Sequence, residues 1–266
     1  MSETSIAPEQ RDAVIAIARA AAADILAVYH GAFDVEHKED RSPLTAADLA
    51  AHRCIVAGLQ ALTPDIPVLS EESKTLDIAQ RRTWSRFWLV DPLDGTREFI
   101  KRNGEFTVNI ALIEDGVASF GVIQQPVGGG VWHGAPGSGA FRRDGDIDAG
   151  IHVRKPATRP LRIAASRSHR DVRTQALLDA LTGSEAMACG SSLKFCRIAE
   201  GELDLYPRFG PTSEWDTAAG QAILEAAGGA VLDPRGRPLR YNQRDTLLNG
   251  DFIAFGDVAL RDVLPA

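Results

Sequence analysis

Trp88-Leu89-Val90-Asp91-Pro92-Leu93-Asp94-Gly95-Thr96 is an apolar run that ends at an aspartate, with a second aspartate three residues on. The run predicts a buried strand, and Gly95-Thr96 opens a helical turn. Two carboxylates at the exit of a rigid strand can share a hard cation, and the amides that start the turn can hold a phosphate. That chemistry needs further acids from elsewhere in the chain. Glu71-Glu72 follow the Val68-Leu69 strand, Asp216 lies at the start of a predicted Trp215–Ala227 helix, and Asp48 at the start of another, Thr45–Leu62. All five positions are ends of elements, where a fold holds side chains rigidly. Taken singly, each has a plainer reading. Thr45-x-x-Asp48 and Ser213-x-x-Asp216 fit capping boxes, Glu71-Glu72 fits a solvated turn, and Asp91-Pro92 fits the end of a strand. The combination is harder to dismiss than any member.

Bulk properties narrow the function classes. The 266 residues can bury a substantial core, and 44% hydrophobic with 24% charged residues is ordinary for a water-soluble globular chain. A formal charge of -7 argues against binding a nucleic acid polymer. An anionic substrate therefore needs metal ions or a local basic pocket. Cys54, Cys189 and Cys196 form no C-x-x-C pair and read as reduced thiols, which suits the cytoplasm. Neither a signal peptide nor a transmembrane segment is expected; a loose peripheral contact at the inner face of the inner membrane is left open. The expected oligomeric state is monomer or homodimer.

Helical periodicity covers Pro8–His30 through Val14, Ile17, Ala21, Ile25 and Val28. Val35–Ser42 is polar and reads as a hairpin or loop. Strands are predicted at Pro67–Leu69 and Phe87–Val90, then a meander at Phe106–Ile113, Ala118–Gln124 and Val131–Ala135. Gly128-Gly129-Gly130 and Gly137-Ser138-Gly139 mark turns, because no Lys-Ser/Thr follows to make a phosphate loop. Pro156–Pro160 is the best boundary, dividing an α+β metal-binding domain (1–155) from an α/β domain (156–266) that completes the site. In the second half strands (Leu161–Ala165, Ala186–Cys189, Leu203–Tyr206, Ala230–Leu232, Phe252–Phe255) alternate with helices (Val172–Leu181, Ser192–Ala199, Trp215–Ala227).

The order Glu-Glu-Ser (71–73), Asp-Pro-Leu-Asp-Gly-Thr (91–96) and Trp-Asp-x-Ala-Ala-Gly (215–220) resembles the magnesium-dependent, lithium-sensitive phosphatases of the inositol monophosphatase superfamily. The likeness extends over nearly the whole chain. Flanking segments are most similar to the bacterial CysQ-type 3'(2'),5'-bisphosphate nucleotidases. They are Ser42–Asp48, Asp94–Thr107, Ser166–His169, Gly190–Cys196 and Tyr206–Thr212. The resemblance implies a layered αβαβα sandwich of the inositol monophosphatase and fructose bisphosphatase type. It implies two Mg2+ ions, a third being left open. One is held by Glu71, Asp91 and the Leu93 carbonyl, the other by Asp91, Asp94 and Asp216. Gly95 and Thr96 would face the scissile phosphate, while Asp48, Glu71 and Thr96 would orient and deprotonate the attacking water.

The implied substrate is a small phosphonucleotide, 3'-phosphoadenosine 5'-phosphate, hydrolysed to AMP and phosphate in connection with sulfate assimilation. 3'-Phosphoadenylyl sulfate is a second candidate. By resemblance, Glu71, Leu93, Asp94, Gly95, Thr96 and Asp216 contact the substrate's reacting end, and Ser191, Lys194, Arg208 and His169 its other phosphate. Arg and Lys make charge-assisted bonds to phosphate, although all three cations also read as ordinary surface or loop residues. Phosphate monoester hydrolysis is among the slowest uncatalysed reactions, and paired divalent ions supply the missing stabilisation. No covalent phosphoenzyme is expected. The competing readings are an inositol-1-phosphatase or fructose bisphosphatase, and a nonhydrolytic sensor of a phosphorylated ligand.

Overall fold

The computed structural model describes residues 6–37, 43–73, 78–166 and 172–264. Helix α1 (Pro8–Tyr29) buries Val14, Ile15, Ala18, Ala21 and Ile25 on one side, the stripe that a 3.6-residue period requires. Short strands β1 (Val35–His37) and β2 (Pro43–Thr45) pair antiparallel, and α2 (Ala46–Leu62) follows. Of the segment expected as a hairpin or loop, Val35–His37 form β1 and pair with Pro43–Thr45, while residues 38–42 lie outside the described residues. Next come β3 (Val68–Ser70), α3 (Ile78–Arg81), β4 (Arg86–Asp94) and α4 (Thr96–Ile100). The meander is β5 (Thr107–Glu114), β6 (Val117–Gln124), β7 (Val131–Ala135), β8 (Gly139–Asp144) and β9 (Ile147–Ile151). The second half contains β10 (Arg162–Ser166), α5 (Val172–Ala180), β11 (Glu185–Cys189), α6 (Leu193–Ala199), β12 (Leu205–Arg208), α7 (Glu214–Ala226), β13 (Ala230–Leu232) and β14 (Phe252–Phe255). A 3-10 turn, Val258–Val263, ends the described chain.

Strands β3 to β9 form one seven-stranded sheet in sequence order, antiparallel except for β3 beside β4. The second sheet has five strands in the order β11-β10-β12-β14-β13. Three apolar clusters separate the layers. Helices α1 and α2 cover one face of the large sheet through Ile25, Ile55, Trp88 and Ile110. Helices α6 and α7 fill the space between the sheets, where Phe195, Ala219 and Ile223 meet Leu89 and Ala111 on one side and Tyr206 and Phe252 on the other. Helix α5 closes the far face of the small sheet through Leu177, Leu178, Ile163 and Leu205. Alternate residues of β10 divide accordingly, Ala164 facing the middle layer and Ile163 and Ala165 facing α5. These are the five layers of an αβαβα sandwich. The passage between sheets runs from Ile151 to Arg162, and the middle cluster joins the two halves.

Two differences from expectation have physical causes. Strands β8 and β9 were unexpected because Arg142-Arg143-Asp144 and the glycine in Ile147–Ile151 break apolar alternation; β9 is a largely exposed edge. Strand β4 also runs past Val90 to Asp94, because Asp91 and Asp94 still pair with Asn109 and Thr107.

The middle layer is tight. A Cβ on Gly121 of β6 would sit 2.4 Å from the carbonyl oxygen of Ala219 in α7. Gly121→Ala should force the helix off the sheet and cost about 1–3 kcal/mol, lowering Tm by roughly 2–10 °C. An unchanged melting curve would show that the layer yields more readily than its contacts imply.

Candidate metal centre and active site

The centre is built on a bulge. Residues three apart in a regular strand point to opposite faces, so Asp91 and Asp94 should diverge. Against β5, however, Asp91 pairs with Asn109 and Asp94 with Thr107, three residues opposite two. The extra residue turns Asp94 back beside Asp91. Helix α7 brings the third acid: carboxylate oxygens of Asp91, Asp94 and Asp216 all lie within 4.8 Å of one another. Glu71, which follows β3, hydrogen-bonds the Asp91 side chain and adds its charge. Asp91 is 1% exposed, and the charges of Glu71, Asp94 and Asp216 all act on it.

Both capping readings are correct, and neither excludes the functional one. Asp48 is the third residue of α2; its Oδ2 accepts from the Thr45 amide (2.8 Å) and hydroxyl (2.6 Å). Its Oδ1 accepts from the Thr96 hydroxyl at 3.2 Å. Asp216 likewise caps α7 by accepting from the Ser213 amide at 2.8 Å on Oδ2. In each case a cap fixes one oxygen and thereby the rotamer, leaving the other for the site. Leu93 is anchored by its amide on Asp91 Oδ1 (3.0 Å), and its carbonyl accepts from Thr96 at 3.4 Å. Gly95 has φ 90°, a left-handed conformation that glycine adopts without strain.

Sequence reasoning placed Ser191 against the substrate's other phosphate and assigned no group to hold Asp94. Its Oδ2 accepts from the hydroxyls of Ser191 (2.8 Å) and Ser192 (2.6 Å). Ser192 in turn accepts from Asn109 Nδ2 at 2.9 Å, and Thr107 Oγ1 lies 2.6 Å from Ser191 Oγ. Thr107 and Asn109 are buried polar residues in the otherwise apolar strand β5, a signal visible in Thr107-Val108-Asn109-Ile110. Lys194 differs from the exposed cation of the plainer reading. It is 5% exposed, its ammonium donates to the carbonyls of Ser191 and Cys189, and it lies 5.0 Å over the Tyr206 ring. Burial pushes its pKa down. Arg208, at the end of β12, is partly exposed, donates to the Pro211 carbonyl at 2.9 Å, and acts electrostatically on both Asp216 and Lys194. His169, with Arg167 and Ser168 of its motif, lies outside the described residues.

The donor set suits a hard divalent cation. Buried carboxylates without a cation repel one another: burial and the charges of Glu71, Asp94 and Asp216 push the Asp91 pKa well up. Burial, Asp94 and Glu71 do the same for Asp216, against the Ser213 amide and Arg208. A carboxyl with a raised pKa in the folded state binds protons more tightly there than when unfolded. Its stabilising contribution is complete below the unfolded value near 3.8 and is lost as pH rises through the folded value. The metal-free protein should therefore carry its largest repulsive cost at neutral pH. Adding millimolar Mg2+ should raise Tm more at pH 8 than at pH 5; equal shifts at both would contradict a proton-competing site.

The inositol monophosphatase family model matches residues 8–256. The chain belongs to this family. It is 51% identical over 243 residues to 3'(2'),5'-bisphosphate nucleotidase CysQ of Escherichia coli O157:H7, covering 91% of this chain and 97% of the relative. It superposes on the crystal structure of CysQ from Bacteroides thetaiotaomicron with a TM-score of 0.81 at 41% identity, covering 92% and 97% of the two chains. An inositol monophosphatase from Zymomonas mobilis gives a TM-score of 0.76 at 27% identity, covering 97% of each. The layered αβαβα architecture is thus the family's fold. Among the described residues no helix is long and apolar enough to cross a membrane.

Proposed function

We propose that this chain is a Mg2+-dependent 3'(2'),5'-bisphosphate nucleotidase that hydrolyses the 3'-phosphate of 3'-phosphoadenosine 5'-phosphate to AMP and phosphate. The observation that carries the reaction type is the convergence of Asp91, Asp94 and Asp216 beside the Asp48–Thr96 pair. Family identity supports the nucleotide: relatives named 3'(2'),5'-bisphosphate nucleotidase share 38–51% of residues, against 27% for the inositol monophosphatase of Zymomonas mobilis.

Asp91, Asp94 and Asp216, with Glu71 and the Leu93 carbonyl, would hold two Mg2+ ions. When bound, these supply Lewis-acid stabilisation of the phosphate and lower the pKa of water. The protein's own groups do the rest. Thr96 donates its hydroxyl proton to Asp48 and so keeps a lone pair for a water. A water donating to Thr96 would thereby be aimed, and Asp48 or Glu71 would receive its proton. The water oxygen would attack phosphorus as the P–O3' bond breaks, and the leaving 3'-oxygen would take a proton from a solvent water while the carboxylate later releases the one it received. The backbone amides of Gly95 and Thr96, at the start of α4, suit the phosphate oxygens. Arg208, with Lys194 within its electrostatic reach, and His169 would receive the 5'-phosphate, Ser191 bordering this side through its backbone while its hydroxyl holds Asp94. 3'-Phosphoadenylyl sulfate, with the same 3'-phosphate, is a second substrate on this reading. Three thiols without a disulfide suit a cytoplasmic location.

Turnover in 18O-labelled water tests the chemistry. The label is expected in the released phosphate and absent from AMP, with activity lost in excess EDTA. Label in the nucleoside, or full activity in EDTA, would refute it.

A further inference from the structure

The segment from Glu98 to Thr107 is a sequence motif to which the reaction assigns no task, yet it touches the metal centre through the other half of the chain. Glu105 Oε2 accepts from the Gly190 amide at 2.8 Å. The Glu105 backbone is wedged between two glycines. Its carbonyl oxygen would lie 2.8 Å from a Cβ on Gly190 and 3.3 Å from one on Gly95. Its own amide is held by Asn103 Oδ1 at 2.9 Å, and Asn103 Nδ2 donates to the buried Glu98. Immediately beyond Gly190, Ser191 has φ 51°, a strained value for a residue with a side chain. That conformation lets the hydroxyls of consecutive Ser191 and Ser192 converge on the same oxygen, Asp94 Oδ2. In an extended chain, neighbouring side chains would diverge.

We propose that Glu105 is a positioning residue for the second metal ion, holding the Gly190–Ser192 turn so that its two hydroxyls fix Asp94. Thr107, 2.6 Å from Ser191 Oγ, is the second point of the same clamp. With Oδ2 satisfied by two hydroxyls, Oδ1 is the Asp94 oxygen with lone pairs to spare for the cluster. The inference rests on the reading of Asp91, Asp94 and Asp216 as metal ligands. Because the clamp joins residue 105 to residue 190, it also ties the two halves of the chain together at the metal centre. For the turn, what Glu105 supplies is an acceptor for the Gly190 N–H, so a neutral acceptor should hold it equally, although the Glu105 charge also acts on Lys194.

Isothermal titration of the full chain with Mg2+, in the absence of substrate, tests this. Wild type is expected to show two sites. Glu105→Ala, one step removed from the ligand it positions, should weaken one of them by about 10-fold, the lower end of the effect of losing a ligand's supporting hydrogen bonds, and leave the other unchanged. Glu105→Gln, which keeps the acceptor, should resemble wild type. Thr107→Val, which removes the buried hydroxyl from both Ser191 Oγ and Asn109 Oδ1, should weaken the same site as Glu105→Ala, with a melting curve beside it to show that the variant stays folded. Wild-type affinities in both Glu105→Ala and Thr107→Val would overturn the clamp. A loss in Glu105→Gln equal to that in Glu105→Ala would overturn the acceptor role. Absence of Mg2+ binding to wild type would be a different failure, that of the metal reading beneath the proposal.

Discussion

Asp91→Asn is expected to lower kcat by about a thousandfold or more, at least ~4 kcal/mol of transition-state stabilisation, while the metal-free protein stays folded. The loss follows from position: Asp91 is buried, bonded to Glu71, and within 4.8 Å of Asp94 and Asp216, so its second negative oxygen serves both halves of the acidic cluster. Asparagine keeps the Oδ1 that accepts from the Leu93 amide at 3.0 Å, so the local backbone has no reason to move. The stability effect should run opposite to the activity effect. Removing a charge whose pKa is driven up by burial and three acidic neighbours relieves repulsion. At pH 7 without metal, the variant should melt at or above the wild-type temperature. With Mg2+ the order should reverse, because only wild type gains the full binding energy. Steady-state kinetics and two melting curves decide it. Near-normal kcat would remove Asp91 from the centre.

Arg208→Ala should separate substrates rather than abolish chemistry. Its guanidinium is partly exposed at the end of β12, near Asp216 and Lys194. It is the more open of the two cations, since the Lys194 ammonium is turned into carbonyls and the Tyr206 ring. A charge-assisted contact to the 5'-phosphate is worth about 1.5–3 kcal/mol, so kcat/KM for 3'-phosphoadenosine 5'-phosphate should fall roughly 10- to 150-fold. For 3'-AMP, which has no 5'-phosphate, the fall should be several times smaller. Equal losses on both would place Arg208 in support of Asp216 instead of the 5'-phosphate.

Much of this was legible in the sequence because the decisive acids sit at element ends. Asp48 and Asp216 follow cap residues by three positions, and Asp91 ends an apolar run. The capping and catalytic readings looked like rivals, but a carboxylate has two oxygens: Asp48 caps through Oδ2 and reaches Thr96 through Oδ1, and the cap of Asp216 occupies Oδ2 alone. What the sequence hid was nonlocal. A bulge exists only in the pairing of two strands, so nothing within Asp91–Asp94 announces that the pair shares a face. The Ser191 and Ser192 contacts to Asp94 cross 97 and 98 positions and depend on the left-handed Ser191, a backbone state that serine does not advertise. The inward turn of Lys194 was equally invisible, because a lysine reads as exposed until its burial is known. Strands β8 and β9 were missed for the opposite reason: they are local but half-solvated, and arginine and glycine blur their alternation.

The central claim, a metal-dependent phosphatase selective for a nucleotide carrying two phosphates, is tested most directly by one comparison. It sets kcat/KM for 3'-phosphoadenosine 5'-phosphate against that for inositol 1-phosphate, in saturating Mg2+. The account predicts a preference for the nucleotide of at least about 100-fold, or ~2.7 kcal/mol, arising from the Ser191, Lys194 and Arg208 side of the site. Comparable values for the two substrates would contradict it.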